Sequence, residues 1–154
     1  MGAEARLREL GIELPAAPAP RANYVSCVRT GSLLFVAGHG PYRSDGTFIV
    51  GKVGATLNES LAYGAARLVG LNLLSTIRQH LGTLDDVTRV VKLLGMVNAA
   101  PGFTSIPAVI DGCSDLLIEV FGRDVGAHAR SAVGMAELPF DIAVEIEMIC
   151  EVAP

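Results

Sequence analysis

Leucine recurs at helical spacing from residue 57 to residue 81, and that run limits the fold more than any other feature of the chain. Leu57, Leu61, Leu68, Leu71, Leu74 and Leu81 recur at the spacing of an amphipathic α-helix. Thr56 followed three residues later by Glu59 reads as a capping box, and Gly82 suits the left-handed residue that closes a helix. An amphipathic helix over 57–81 needs an apolar layer to lie on. The rest of the chain offers strands.

Residues 142–152 alternate cleanly. Ile142, Val144, Ile146, Met148, Cys150 and Val152 share one face of a strand, and Glu145, Glu147 and Glu151 share the other. A strand over 129–137 precedes it, joined through Leu138-Pro139-Phe140-Asp141 as a hairpin. Residues 87–97 are rich in β-branched side chains and read as a buried strand. Residues 24–29 and 32–37 read as strands split by Thr30-Gly31, and Asp45-Gly46 turns the chain into a third short strand at Phe48-Ile49-Val50. Ser105 is placed to cap a second helix, with Pro107 in its first turn and Gly122 closing it. Ahead of these, residues 3–14 read as a short helix or arm, and Pro15 to Pro20 as a stiff extended linker. The expected division is an N-terminal arm and linker over 1–22 and one domain over 23–154.

The order βββ-α-β-α-ββ describes an α+β fold, a mixed sheet with two helices on one face. Two helices cannot cover both faces. Apolar residues make up 51% of the 154-residue chain and charged ones only 18%, against roughly 25% charged in an ordinary soluble domain. Mean hydropathy is +0.46. An apolar second face must then meet another copy of the chain.

A membrane span does not account for this composition. The longest uncharged run, Leu93 to Ile110, is broken by Gly95, Asn98, Pro101, Gly102 and Pro107. The N-terminus has no basic segment leading into an apolar one, and Arg6 stands where a myristoylation site needs Ser or Thr. Cys27, Cys113 and Cys150 are widely spaced, as small buried thiols of a reducing compartment are. These features predict a cytoplasmic protein. No pairing of the three histidines resembles a zinc motif, and a net charge of −4 argues against a general nucleic-acid binder.

Few residues stand out as chemical. Gly38-His39-Gly40-Pro41 lacks the third glycine of a dinucleotide fingerprint and opens no helix. Arg130 begins an otherwise uncharged strand, and its planar guanidinium suits a carboxylate. On pattern alone, a structural ion pair with Glu119, Glu137 or Asp124 is the simpler explanation. Glu145 needs burial to act as an acid or base, and the alternation does not separate it from Glu147 and Glu151. His39 and His128 titrate near neutrality but read as loop residues. Tyr24 reads as an aromatic plug.

Together these residues form a recognisable set. Ala129-Arg130-Ser131-Ala132-Val133, then Leu138-Pro139, then Val144-Glu145-Ile146-Glu147 resemble the C-terminal signature of the reactive-intermediate deaminase (Rid, or YjgF) family, also called endoribonuclease L-PSP-type. Leu34 to Pro41 is similar to the family's strand ending in a Ser-Gly-Gln-x-Pro-type turn, and Gly82 to Val87 to its helix-to-strand connection. The likeness covers about Tyr24 to Val152. It implies a chorismate-mutase-like fold assembled as a homotrimer with clefts between subunits. It implies hydrolysis of enamines and imines of 2-amino acids to 2-keto acids and ammonia, without metal or organic cofactor. Arg130 would grip the substrate carboxylate and Glu145 would position or activate the attacking water, while Tyr24, Gly38, His39, Asp111 and the backbone at Ala132 would contact substrate.

The sequence also departs from that pattern. His128 stands where Pro usually precedes the Ala-Arg pair, Ala132 replaces a frequent Cys, and Gly40 replaces an aliphatic residue. Asp111 falls at an Asn position, and the stretch from Phe103 to Gly122 is longer than usual. These departures keep a second expectation open, a non-catalytic trimer binding a small carboxylic metabolite. Acidity and the 5% aromatic content count against a ribonuclease or translation inhibitor.

Overall fold

The computed structural model describes residues 2–154. Helix α1 (Ala3–Leu10) is followed by strands β1 (Cys27–Thr30) and β2 (Leu33–His39), helix α2 (Glu59–Leu81), strand β3 (Val87–Asn98), helix α3 (Ile106–Gly126), and strands β4 (Ala129–Met135) and β5 (Val144–Val152). The five strands form one sheet in the order β1-β2-β5-β3-β4. All neighbours are antiparallel except β3 and β4, whose parallel pairing requires a crossover, and α3 supplies it. This is the expected α+β mixed sheet with α2 and α3 together on one face. No helix among the described residues is long and apolar enough to cross a membrane.

The core lies between that face and the two helices. Leu93, Val97, Ile146 and Met148 from the sheet meet Val69, Leu73, Ile110 and Leu117 from the helices, all buried. Gly112 sets how closely α2 and α3 approach, because a methyl there would collide with the carbonyl oxygen of Tyr63. The short helix α1 also contributes, burying Ala3 and Leu7, while the backbone N–H of Glu4 donates to Asp85.

Several local readings change. The N-cap of α2 is Asn58, whose Oδ1 accepts the N–H of Leu61. Thr56 instead closes the preceding turn, its hydroxyl accepting the N–H of Lys52. Gly82 does end the helix, at φ 89°. Ser105 makes no side-chain cap, and Gly122, at φ 75°, interrupts a helix that winds on to Gly126. Residues 48–50 form only isolated bridges, Phe48 to Tyr42 and Val50 to Ile142, so no third strand joins the sheet there.

The largest correction concerns the last two strands. They are not a hairpin, because β3 lies between them. Directly opposed residues on neighbouring strands share a face. Arg130 lies opposite Leu93 and Ala132 opposite Gly95, so both project toward the helices. Glu145 lies opposite Met96, so it projects from the open face.

Candidate functional site

A cavity of about 370 Å³ opens beside the end of β2 and the start of β5. Tyr24, Gly38, His39 and Glu145 line it together with Arg21, Tyr42, Phe48 and Phe140. A register shift in the β2–β5 pairing between Val36 and His39 shapes its floor. At the floor, the bare Cα of Gly38 makes room for the Glu145 carboxylate, which a methyl group would strike. Glu145 is half-buried. Burial first, and the charge of Glu147 second, raise its pKa above the ordinary glutamate value, and no hydrogen bond offsets them. A carboxyl group in that state can hold or take a proton nearer neutrality than an ordinary glutamate.

His39 forms a wall of the cavity. Its Nδ1 bonds to the Ala37 carbonyl at 2.6 Å and its Nε2 to the Thr76 hydroxyl at 2.7 Å. A carbonyl only accepts, so Nδ1 carries the proton and Nε2 accepts from Thr76. Burial lowers its pKa, outweighing the Ala37 hydrogen bond that raises it. That lowering favours the neutral ring, and both of its nitrogens are engaged. Asn72 pins the next turn by donating to the carbonyls of Gly40 and Tyr42, each at 3.2 Å.

The other wall is the connection between β4 and β5. Phe140 and Asp141 adopt left-handed backbone angles, φ 58° and 56°. Asn98 holds this turn by donating to Asp141 Oδ1 at 2.9 Å. Lys52 in turn donates to Asn98 Oδ1 at 2.9 Å and to the Ala136 carbonyl. None of Arg21, Lys52, Phe48, Asn98 and Phe140 stood out in the sequence. One signal was available: Lys52 is the lone charge between Asp45 and Glu59, set in an apolar stretch.

Arg130, Asp111 and Ala132 lie elsewhere. The Arg130 guanidinium contacts Asp111 at 2.8 Å, the Ser114 hydroxyl at 3.0 Å and the Pro107 carbonyl at 3.3 Å. An ion pair thus exists, but with Asp111 rather than Glu119, Glu137 or Asp124. Glu119 pairs with Arg67 and Glu137 lies near Lys52. Asp111 wins because positions 111 and 114, three apart on α3, share the side that faces β4. His128, far from being an incidental loop residue, extends the network. Its Nδ1–H donates to the Gly126 carbonyl at 2.6 Å, leaving Nε2 to accept from Ser114 at 2.9 Å. Burial lowers the His128 pKa, and the nearby Arg130 charge adds to that. Within one chain, therefore, Arg130 and Glu145 stand on opposite faces of the sheet.

Residues 4–152 match the family model described as "YjgF/chorismate mutase-like, putative endoribonuclease". The chain belongs to the YjgF (Rid) family. It is 48% identical over 147 residues to protein TCP17 of Trypanosoma cruzi, covering 96% of this chain and 92% of that protein. The structure of Atu1372 from Agrobacterium tumefaciens superposes with a TM-score of 0.89 at 42% identity, covering 98% of this chain and 92% of that one. A Shewanella oneidensis MR-1 structure, also given the endoribonuclease label, superposes with a TM-score of 0.94 at 31% identity, over 99% and 100% of the two chains. The chorismate-mutase-like architecture expected from the sequence is therefore the one present. The YjgF signature segments map onto two separate places: Ala129–Val133 forms the outer strand β4, and Val144–Glu147 begins β5 at the cavity.

Proposed function

We propose that this YjgF protein hydrolyses imines and enamines of 2-amino acids to 2-keto acids and ammonia, in clefts completed between subunits of a homotrimer. The observation that carries this reading is the Glu145 carboxylate, desolvated and without a hydrogen-bonding partner over Gly38 in an otherwise largely apolar cavity. A group with a raised pKa there suits the task of orienting water and exchanging a proton with the leaving amine. Fixing the substrate carboxylate would hold the C=N carbon in line for that water, and positioning of this kind is a large part of catalysis.

The carboxylate grip falls to Arg130. Because it projects from the other face of its own chain's sheet, the Arg130 that completes a cleft comes from a partner subunit. The open sheet face supports such an assembly, since Val28, Phe35 and Val133 are all exposed on it at 38% or more. Strand β4 is moreover an edge, with one side of its backbone unpaired. Tyr24 and His39 would bound the substrate, and the backbone at Ala132 would accompany Arg130.

An amino-acid oxidase generating imine in the presence of the protein tests this. The wild type is expected to accelerate imine decay, and both Arg130→Ala and Glu145→Gln to lose most of the acceleration. Decay at the buffer rate for wild type would rule the reaction out. Saturable keto-acid binding in calorimetry with no turnover would then identify a metabolite-binding trimer, the reading kept open by the Asp111 pairing of Arg130.

A further inference from the structure

Arg21 ends the proline-rich segment and lies at the cavity mouth. Its guanidinium carbon is 4.8 Å from the Phe48 ring centroid, 5.0 Å from that of Tyr42 and 5.8 Å from that of Phe140. Those rings form a platform: Phe48 and Phe140 stack at 5.8 Å and 9°, and Tyr42 tilts against Phe48 at 4.2 Å. A guanidinium over aromatic faces uses its π surface and keeps its in-plane N–H donors free, which are the groups that recognise planar anions.

Arg21 forms no ion pair among the described residues, and the acids of the adjoining turn are engaged elsewhere. Asp141 accepts from Asn98, and Glu137 lies near Lys52. The platform also carries a conformational cost. Phe140, a bulky residue, sits at φ 58° with 65% of its surface exposed. Strain of that kind persists where surrounding structure enforces it, and it concentrates at ligand sites. The Lys52–Asn98–Asp141 network is the enforcing structure.

We propose that Arg21 is a second anion-binding residue of the cleft, so that its preferred ligands are dicarboxylic: keto acids and imines of amino acids with an acidic side chain. This rests on the reading above for the placement of the first carboxylate on Arg130. Arg21, held on its aromatic platform, then takes the side-chain carboxylate at the opposite end of the substrate. The proline-rich segment preceding Arg21 limits its freedom, which lowers the entropy lost when the contact forms.

Two five-carbon probes differing only in the second carboxylate, 2-oxoglutarate and 2-oxopentanoate, separate the terms. Calorimetry on the wild-type protein is expected to show 2-oxoglutarate binding about tenfold tighter or more, as one charge-assisted contact supplies. Arg21→Ala should bring that ratio close to one, and Arg21→Lys should restore part of it. Equal binding of both probes, tighter binding of 2-oxopentanoate, no binding of either, or a ratio that Arg21→Ala leaves in place would overturn the proposal. Because binding is read without turnover, a protein inert toward imines yet selective for 2-oxoglutarate in an Arg21-dependent way would refute the deaminase reading and uphold this one. Phenylpyruvate winning over 2-oxoglutarate would show the platform to be an aromatic subsite instead.

Discussion

The contact between Arg130 and Asp111 is a weak lock. Their side chains keep 23% and 48% of their surface exposed, and a pair of that kind contributes only about 0–1 kcal/mol. A substrate carboxylate in a cleft with less water makes charged hydrogen bonds worth about 1.5–3 kcal/mol. On the proposed reading it would displace Asp111, at a cost set by the pair. Asp111→Asn keeps the shape and removes the competing charge, so keto-acid affinity should rise roughly two- to fivefold. Calorimetric titration of both proteins checks this, and weaker binding by the variant would mean that Asp111 serves to orient Arg130. The sequence could say that Arg130 wants a carboxylate, yet it could not say which. The partner depends on how α3 is rotated against β4, which is a tertiary fact. Glu145 is a similar case. Strand alternation puts Glu145, Glu147 and Glu151 on one face, and what separates Glu145 is Gly38, contributed by β2 from far away in the chain.

Elements written in local periodicity were the most legible. The leucine spacing marks where α2 runs but not the side it buries, which carries Ala62, Ala65, Val69, Leu73 and Ile77 while Leu61 stays exposed. The alternation of β5 does specify its buried face, and both elements appear within about two residues of the expected bounds. The supposed β4–β5 hairpin failed because eight residues link the strands, enough to step across a neighbour, and no local signal reports what lies between. Packing between α2 and α3 depends on glycines that the periodicity also leaves unmarked. Gly112 meets the Tyr63 carbonyl, whereas Gly64 in α2 has open space around its Cα. Gly112→Ala should therefore force the helices apart and destabilise the fold by about 1–3 kcal/mol, as overpacking does. Gly64→Ala should stabilise by about 0.5–1 kcal/mol through helix propensity. Urea denaturation resolves both, and equal effects at the two positions would contradict the close helix approach.

For the whole molecule, the decisive fact is that one sheet separates two halves of a candidate site. Glu145 opens onto the cavity, and Arg130 reaches the opposite face, beside the edge strand β4. If function needs both, closed symmetry has to bring one subunit's Arg130 to the next subunit's Glu145. The apolar composition pointed to a partner for the second sheet face, and exposed Phe35 and Val133 lie where one would sit. Mixing two inactive variants turns this into a measurement. Arg130→Ala chains still carry Glu145, and Glu145→Gln chains still carry Arg130. When the two are unfolded together and refolded as one population, roughly a quarter of the clefts in a random assembly regain both residues. Imine turnover should recover to a similar fraction of wild type, and Phe35→Glu in both chains should abolish the recovery by preventing assembly. No recovery from a mixture that does co-assemble would mean that each chain works alone, leaving Arg130 as a structural partner of Asp111.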